Sequence, residues 1–206
     1  MSDRFLIRLN AVDIISLTGL TLTGLALWLI SSGQMTFALA VLYLAMLADA
    51  LDGHFARRWN LAREFGRYLD GFVDTFLYLV APAFWLWQWG FNGLFAAVLI
   101  WAVWVSGIVR LSVFNIAGND TLGGRLVYQG MPVFWLLFFI GGAQILAWLA
   151  GKATALGMLY ILWPVSAALM IWNRPFFKFT RLSHILILVL GGATVFAVAG
   201  LQEAYS

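Results

Sequence analysis

Residues 35–88 read MTFALAVLYLAMLADALDGHFARRWNLAREFGRYLDGFVDTFLYLVAPAFWLWQ. Two apolar runs flank a polar stretch that holds Arg57, Arg58, Arg63 and Arg67. Roughly twenty mostly apolar residues are enough to cross a bilayer as a helix. The stretch therefore reads as two antiparallel spanning helices joined by a basic turn. Each run carries two aspartates at the end nearest the turn, Asp49 and Asp52 on one side and Asp70 and Asp74 on the other.

The rest of the chain repeats the apolar pattern. Of 206 residues, 63% are hydrophobic and only 10% charged, against about 25% charged in a soluble domain. That is too little charge to cover a water-facing surface. Eleven Trp and 17 Phe suit lipid-facing and interfacial positions instead. Seven apolar segments are long enough to span, at about 12–31, 35–56, 68–88, 92–115, 130–150, 155–173 and 184–202. Residues 2–10 are expected to form a short interfacial helix, with Phe5, Leu6 and Leu9 toward lipid and Arg4 and Arg8 toward phosphate. The expected fold class is an all-α integral membrane protein. It is a polytopic bundle of 6–7 transmembrane helices plus that N-terminal helix, organised as a single domain over 1–206. MSDRFLIRLN has charges too interleaved with apolar residues for a cleavable signal peptide.

The absence of cysteine excludes disulfides and thiolate chemistry, and two histidines, His54 and His184, are too few for a His-rich metal site. The net charge of +3 does not indicate a nucleic-acid partner, because the basic residues sit in short loops beside apolar spans. With an inside N-terminus, the seven-span order puts eleven of the twelve Lys and Arg residues at the cytosolic side, counting Arg110 near the end of the fourth span. Lys152 alone falls outside. That asymmetry follows the positive-inside rule.

Spacings of i,i+3 for Asp49 and Asp52 and i,i+4 for Asp70 and Asp74 place each pair on one helix face. A hairpin of the two spans then gathers four carboxylates at one membrane depth. Each costs at least ~2.5 kcal/mol near the bilayer centre if uncompensated, and the like charges repel. The loop arginines offer partial compensation, and helix-end pairing with them is the plainer reading. A set of hard oxygen donors without His or Cys suits Mg²⁺ or Mn²⁺. Asn10 with Asp13, at the start of the first span, either caps that helix or touches substrate.

Asp49–Asp74 also resembles a known signature, D-x2-D-G-x2-A-R-x8-G-x3-D-x3-D, of the CDP-alcohol phosphatidyltransferases. Asp49, Asp52, Gly53, Ala56, Arg57, Gly66, Asp70 and Asp74 fill its eight specified positions. The resemblance implies two divalent ions, Mg²⁺ or Mn²⁺, held by Asp49, Asp52, Asp70 and Asp74. It makes Asp74 a metal ligand, the base for the acceptor hydroxyl, or both. It places Gly53, Ala56, Arg57 and Gly66 around the CDP group, together with Asp49 and Asp70. The small residues would let a nucleotide approach the backbone or let helices pack closely, and an arginine fork suits phosphate.

The implied reaction transfers a phosphatidyl group from CDP-diacylglycerol, or a similar CDP-linked lipid, to an alcohol, releasing CMP at the cytosolic face. For a prokaryote this is the cytoplasmic membrane, and the family resemblance also implies a homodimer. Segments S-G-I-V-R-L-S-V-F-N (Ser106–Asn115), Y-Q-G-M-P (Tyr128–Pro132) and L-M-I-W-N-R-P-F-F-K (Leu169–Lys178) resemble the phosphatidylserine synthase branch. L-Serine is the implied acceptor, with Arg110, Asn115, Arg125 and Tyr128 as acceptor-binding candidates. Two positions depart from that branch: Val113 stands where a second arginine is usual, and Gly71 where serine is common. Arg110 has a plainer alternative role, snorkelling to the interface. Glycerol 3-phosphate, inositol phosphate or choline are the alternative acceptors, and a cation transporter or channel is the alternative of another class.

Because the chain has no native cysteine, single cysteines report sidedness directly. Cysteines at Asn60 and Glu203 are expected to label from opposite faces of sealed vesicles, Asn60 from the cytosolic one. Labelling of both from one face would overturn the span count.

Overall fold

A computed structural model describes residues 7–117, 120–122, 125–176 and 182–205, with the backbone alone described at 117, 120–122, 125–129 and 182. Helix α1 spans Ala11–Ser31 and opens with a capping box. The Asn10 side chain accepts from the Val12 and Asp13 amides at 2.9 and 3.0 Å, and the Asp13 carboxylate accepts from the Asn10 amide at 2.7 Å. Orphan N–H groups at the helix start are thus answered inside the chain. Residues 7–10 are not helical, so the expected interfacial helix is not seen in its described part. Asn10 ends that segment because its side chain takes the amides ahead of it. Residues 1–6, which include Arg4, Phe5 and Leu6, lie outside the described residues.

Helix α2, Met35–Arg58, stops in a Schellman motif. Asn60 takes a left-handed φ of 55°, the Leu61 amide donates to the Ala56 carbonyl at 3.0 Å, and the Asn60 amide donates to the Arg57 carbonyl at 3.5 Å. The chain then returns antiparallel as a continuous helical rod. Its parts are α3, Glu64–Asp74, a π-helical segment, Thr75–Val80, and α4, Ala81–Trp89. Pro82 supplies a physical cause for the π segment. It lacks the N–H that would bond the Tyr78 carbonyl in an α-helix, and the ladder ahead of it shifts by one residue. The Ala81 amide reaches back five residues to the Phe76 carbonyl. Gly90, at φ 111°, ends α4.

Helix α5 spans Leu94–Ala117, α6 Trp135–Ala150, α7 Lys152–Ile171 and α8 Leu182–Tyr205. Among the described residues, six helical rods are long and apolar enough to cross a membrane, and α6, at 16 residues, is shorter. The sequence places this fifth span over 130–150, but Gly130 and Pro132 delay the helix to Trp135. Gly130, at φ 70°, lies directly against the Met170 carbonyl, where a Cβ would stand 2.4 Å away. The Gly130 amide donates to the Arg174 carbonyl at 3.0 Å, and the Met131 amide caps the Leu169 carbonyl at 2.9 Å. The α7 end thereby gains a donor it would otherwise lack. Despite its length, α6 runs from one end of the bundle to the other. Trp135 meets Phe176 at one end, at 6.2 Å between ring centroids, and Lys152, two residues past α6, stands 5.2 Å over the Trp89 ring at the other.

Two loops at the Asp end contain short strands that the span pattern does not indicate. Strands β1, Asp120–Leu122, β2, Arg125–Gln129, and β3, Pro175–Phe176, lie in the order β1-β2-β3, all antiparallel. Thr121 pairs with Leu126, and Tyr128 with Phe176. At the opposite end, Thr36 at the start of α2 bonds Glu203 near the end of α8 at 3.0 Å, and the Trp85 indole donates to the Met35 carbonyl at 3.1 Å. The start of α1 and the end of α8 therefore sit at opposite ends of the bundle.

Packing between helices relies on glycine. Tyr43 of α2 is wedged between α6 and α8, where a Cβ at Gly141 would stand 2.4 Å from its hydroxyl and one at Gly192 2.3 Å from its ring. Phe138 and Phe196 meet the same ring edge-on at 5.9 and 5.4 Å. Such small-residue contacts replace the hydrophobic drive that lipid does not provide.

Gly192→Val is expected to overpack this slot and cost about 1–3 kcal/mol, read as a lower melting temperature in detergent. Gly191→Val is the control, because no atom lies within 4 Å of a Cβ there, and it should fall within about 0.5 kcal/mol of wild type. Equal losses for both would dismiss the wedge.

Candidate functional site

The site begins with a close crossing of three helices. A Cβ at Gly19 of α1 would meet the Ala45 carbonyl and the Ala48 Cβ of α2 at 3.5 Å, and Val73 of α3 at 3.9 Å. Small residues on both sides let α1 and α2 run antiparallel in near contact. One turn toward the basic loop on each helix, that register brings Ser16 to Asp52. The Ser16 hydroxyl donates to Asp52 Oδ2 at 2.5 Å, and Asp52 is only 4% exposed.

The other three aspartates converge. Asp49 of α2 and Asp70 and Asp74 of α3 each offer a carboxylate oxygen, and these oxygens lie within 4.8 Å of one another. Asp74 has a buried oxygen, Oδ1, without a hydrogen-bond partner. Tyr78, in the π segment, donates its phenol to Asp49 Oδ2 at 2.5 Å. Three of the four aspartates thus share this spacing, and Asp52, one turn along α2 from Asp49, has one oxygen bonded to α1.

The loop arginines do not answer the cluster. Arg63 pairs with Asp13 instead, and it donates to the Arg8 carbonyl at 3.0 Å. Asp13 is 1% exposed, so it is a buried cap and ion-pair partner of the helix start. Arg58 and Arg67 are exposed. Arg57 folds back along its own helix, where a Cβ at Gly53 would stand 3.5 Å from its Nη1. Gly53 thus lies beside that guanidinium at ordinary contact distance. Gly66 faces Asp13, whose Oδ1 would be 3.6 Å from an added Cβ. Ala56 anchors the Schellman turn through its carbonyl.

Of the acceptor candidates, Arg110 is buried on α5 at 7% exposure, with its guanidinium 5.1 Å over the Phe114 ring. An inward arginine of this kind does not snorkel to lipid. Asn115, on the same helix, reaches α3, where a Cβ at Gly71 would stand 2.4 Å from its Nδ2. Asn115 Oδ1 is buried without a hydrogen-bond partner. Gly71, where the resembled branch commonly has serine, is thus the space that the Asn115 amide fills. Arg125 and Tyr128 lie on β2, and their side chains are outside the described residues.

Sequence reading missed Ser16 and Tyr78. Tyr78 carried a partial signal, because it follows Asp74 by four residues. Ser16 carried none, since its partner is set by how α1 packs on α2.

Comparison with known proteins bears on the same residues. A family model described as CDP-alcohol phosphatidyltransferase matches residues 9–173. The chain is 31% identical over 167 residues to a cardiolipin synthase (CMP-forming) of Streptomyces coelicolor, which is 75% of this chain and 75% of that protein. It is 28% identical over 137 residues to an archaetidylserine synthase of Methanothermobacter thermautotrophicus, covering 65% of this chain and 57% of the relative. It is 30% identical over 129 residues to a phosphatidylcholine synthase of Brucella melitensis, covering 61% and 45%. The chain thus spans about half the length of the last two relatives.

Ser16→Ala should leave a buried Asp52 oxygen without its donor, at a cost of about 1–3 kcal/mol. Thr18→Ala, which removes an exposed hydroxyl bonded to its own helix at Ile14, should cost less than about 0.5 kcal/mol. Melting in detergent compares the two, and equal midpoints would show that the Ser16 bond contributes nothing.

Proposed function

The chain belongs to the CDP-alcohol phosphatidyltransferase family, and we propose that it transfers a phosphatidyl group from CDP-diacylglycerol, or a similar CDP-linked lipid, to L-serine, releasing CMP. The observation that carries this reading is the convergence of Asp49, Asp70 and Asp74 within 4.8 Å at one end of a membrane-spanning bundle. The donor set fits a divalent ion. It consists of hard carboxylate oxygens, one of them, Asp74 Oδ1, is buried and unpartnered, and Arg63 is committed to Asp13. Mg²⁺ or Mn²⁺ bound there would stabilise negative charge on the attacked phosphate and on departing CMP.

The protein's own residues do the rest. Asp74 accepts the proton of the acceptor hydroxyl. The hydroxyl oxygen bonds to the lipid-bearing phosphorus, the bond from that phosphorus to the CMP oxygen breaks, and CMP leaves with the bonding electrons. Arg57, lying along Gly53, would pair with phosphate through its guanidinium fork. Arg110 and Asn115, both reaching inward from α5, are the acceptor-side candidates.

The basic asymmetry supports a cytosolic Asp end and an inside N-terminus. Homodimer formation is carried from the family resemblance. Serine is favoured by the motif likeness and by the archaetidylserine synthase relative. Relatives named for choline and cardiolipin products make the acceptor the feature to be measured.

Purified protein with CDP-diacylglycerol and Mn²⁺ is expected to release CMP with serine in preference to glycerol 3-phosphate, inositol phosphate or choline, and to stop in excess EDTA. Full activity in EDTA would defeat the metal reading, and preference for another alcohol would replace serine while keeping the chemistry. Asp74→Asn should lower turnover by about 10²-fold or more while CDP-lipid affinity stays near wild type. Loss of lipid binding as well would make Asp74 chiefly a ligand.

A further inference from the structure

A carboxylate that serves a metal needs its plane held, and Asp49 has one such support from outside its own helix. The Tyr78 hydroxyl donates to Asp49 Oδ2 at 2.5 Å. Tyr78 is 2% exposed, so lipid and water do not compete for that bond. Its position follows from the π segment. In an uninterrupted α-helix, residues four apart drift by about 40° around the axis, and Tyr78 would be carried about 80° from the face of Asp70. The wider π turn over Thr75–Val80 begins directly after Asp74 and counters that drift. Its frame is fixed from α5 as well. The Trp104 indole donates to the Leu79 carbonyl at 3.0 Å, and Leu79 fills the space left by Gly107, where a Cβ would stand 2.5 Å away.

We infer that Tyr78 is a positioning residue for the divalent-ion site, aimed by the π turn to fix the rotation of the Asp49 carboxylate toward Asp70 and Asp74. The inference rests on the metal reading of that cluster. Groups that orient a metal-binding side chain typically change metal affinity by about 10–100-fold when removed.

Tyr78→Phe keeps the buried ring and removes only the hydroxyl, so the fold is preserved. Mn²⁺ binding to detergent-solubilised protein, followed by the electron-spin-resonance signal of the free ion, is expected to weaken by about 10–100-fold. Saturating Mn²⁺ should restore turnover to near the wild-type value. Wild-type protein that binds Mn²⁺ beside a variant that binds it equally would overturn the role of Tyr78 and leave the metal reading intact. Weakened binding with turnover that saturating Mn²⁺ does not restore would also overturn it, because the hydroxyl would then act other than by orienting Asp49. Wild-type protein that binds no Mn²⁺ would overturn the metal reading and this inference together.

Discussion

Carboxylates inside a membrane-spanning bundle are tolerated only where something answers their charge, and this constraint organises the Asp end of the molecule. An ionised side chain at membrane depth costs a few kcal/mol even by lenient scales. The chain meets that cost with donors drawn from other elements. Ser16 comes from α1, Tyr78 from the π segment and Arg63 from the loop before α3. Ser16 reaches Asp52 only if α1 and α2 approach more closely than large side chains allow. Gly19 against Ala45 and Ala48 meets that requirement for α1 and α2. The small residues and the polar contacts are therefore two parts of one arrangement.

Hydrogen-bonded turns close the helices at both ends of the bundle. At the Asp end, helices stop in capped, hydrogen-bonded turns: the Asn10 capping box, the Asn60 Schellman turn and the Met131 cap on α7. The opposite end closes in turns of the same kind, at Gly33 after α1 and Gly90 after α4, beside Trp85 stacked on Trp89 at 4.9 Å and Thr36 bonded to Glu203. Rigid turns around the carboxylates suit a site that must hold its geometry through the proposed transfer. Preorganisation of this kind lowers the cost of ordering at the moment of reaction.

Under the proposed function, the seam between Gly71 and Asn115 is where the acceptor side would vary while the carboxylates stay fixed. The absent side chain at Gly71 lets an amide from α5 reach the α3 surface beside Asp70. A serine there would compete for the same space. Relatives named for archaetidylserine, phosphatidylcholine and cardiolipin synthesis share sequence with this chain, and a change at this seam leaves Asp49, Asp70 and Asp74 on their own helix faces.

The membrane-spanning helices were legible in the sequence because bilayer thickness dictates their length and the absence of water dictates their composition. The carboxylate spacing was legible too, since i,i+3 and i,i+4 periodicity puts Asp49 with Asp52 and Asp70 with Asp74 whatever surrounds them. The sequence alone did not show the bond from Asp52 to α1. That bond depends on α1 packing against α2 through Gly19, which brings Asp52 to Ser16, 36 residues away in the chain. It did not show that Arg63 serves Asp13 rather than the cluster, or that Pro82 shifts the ladder and aims Tyr78. Local pattern determines which face a side chain occupies. Only the packing of one helix on another decides which atom that face meets, because the contact depends on the positions of both.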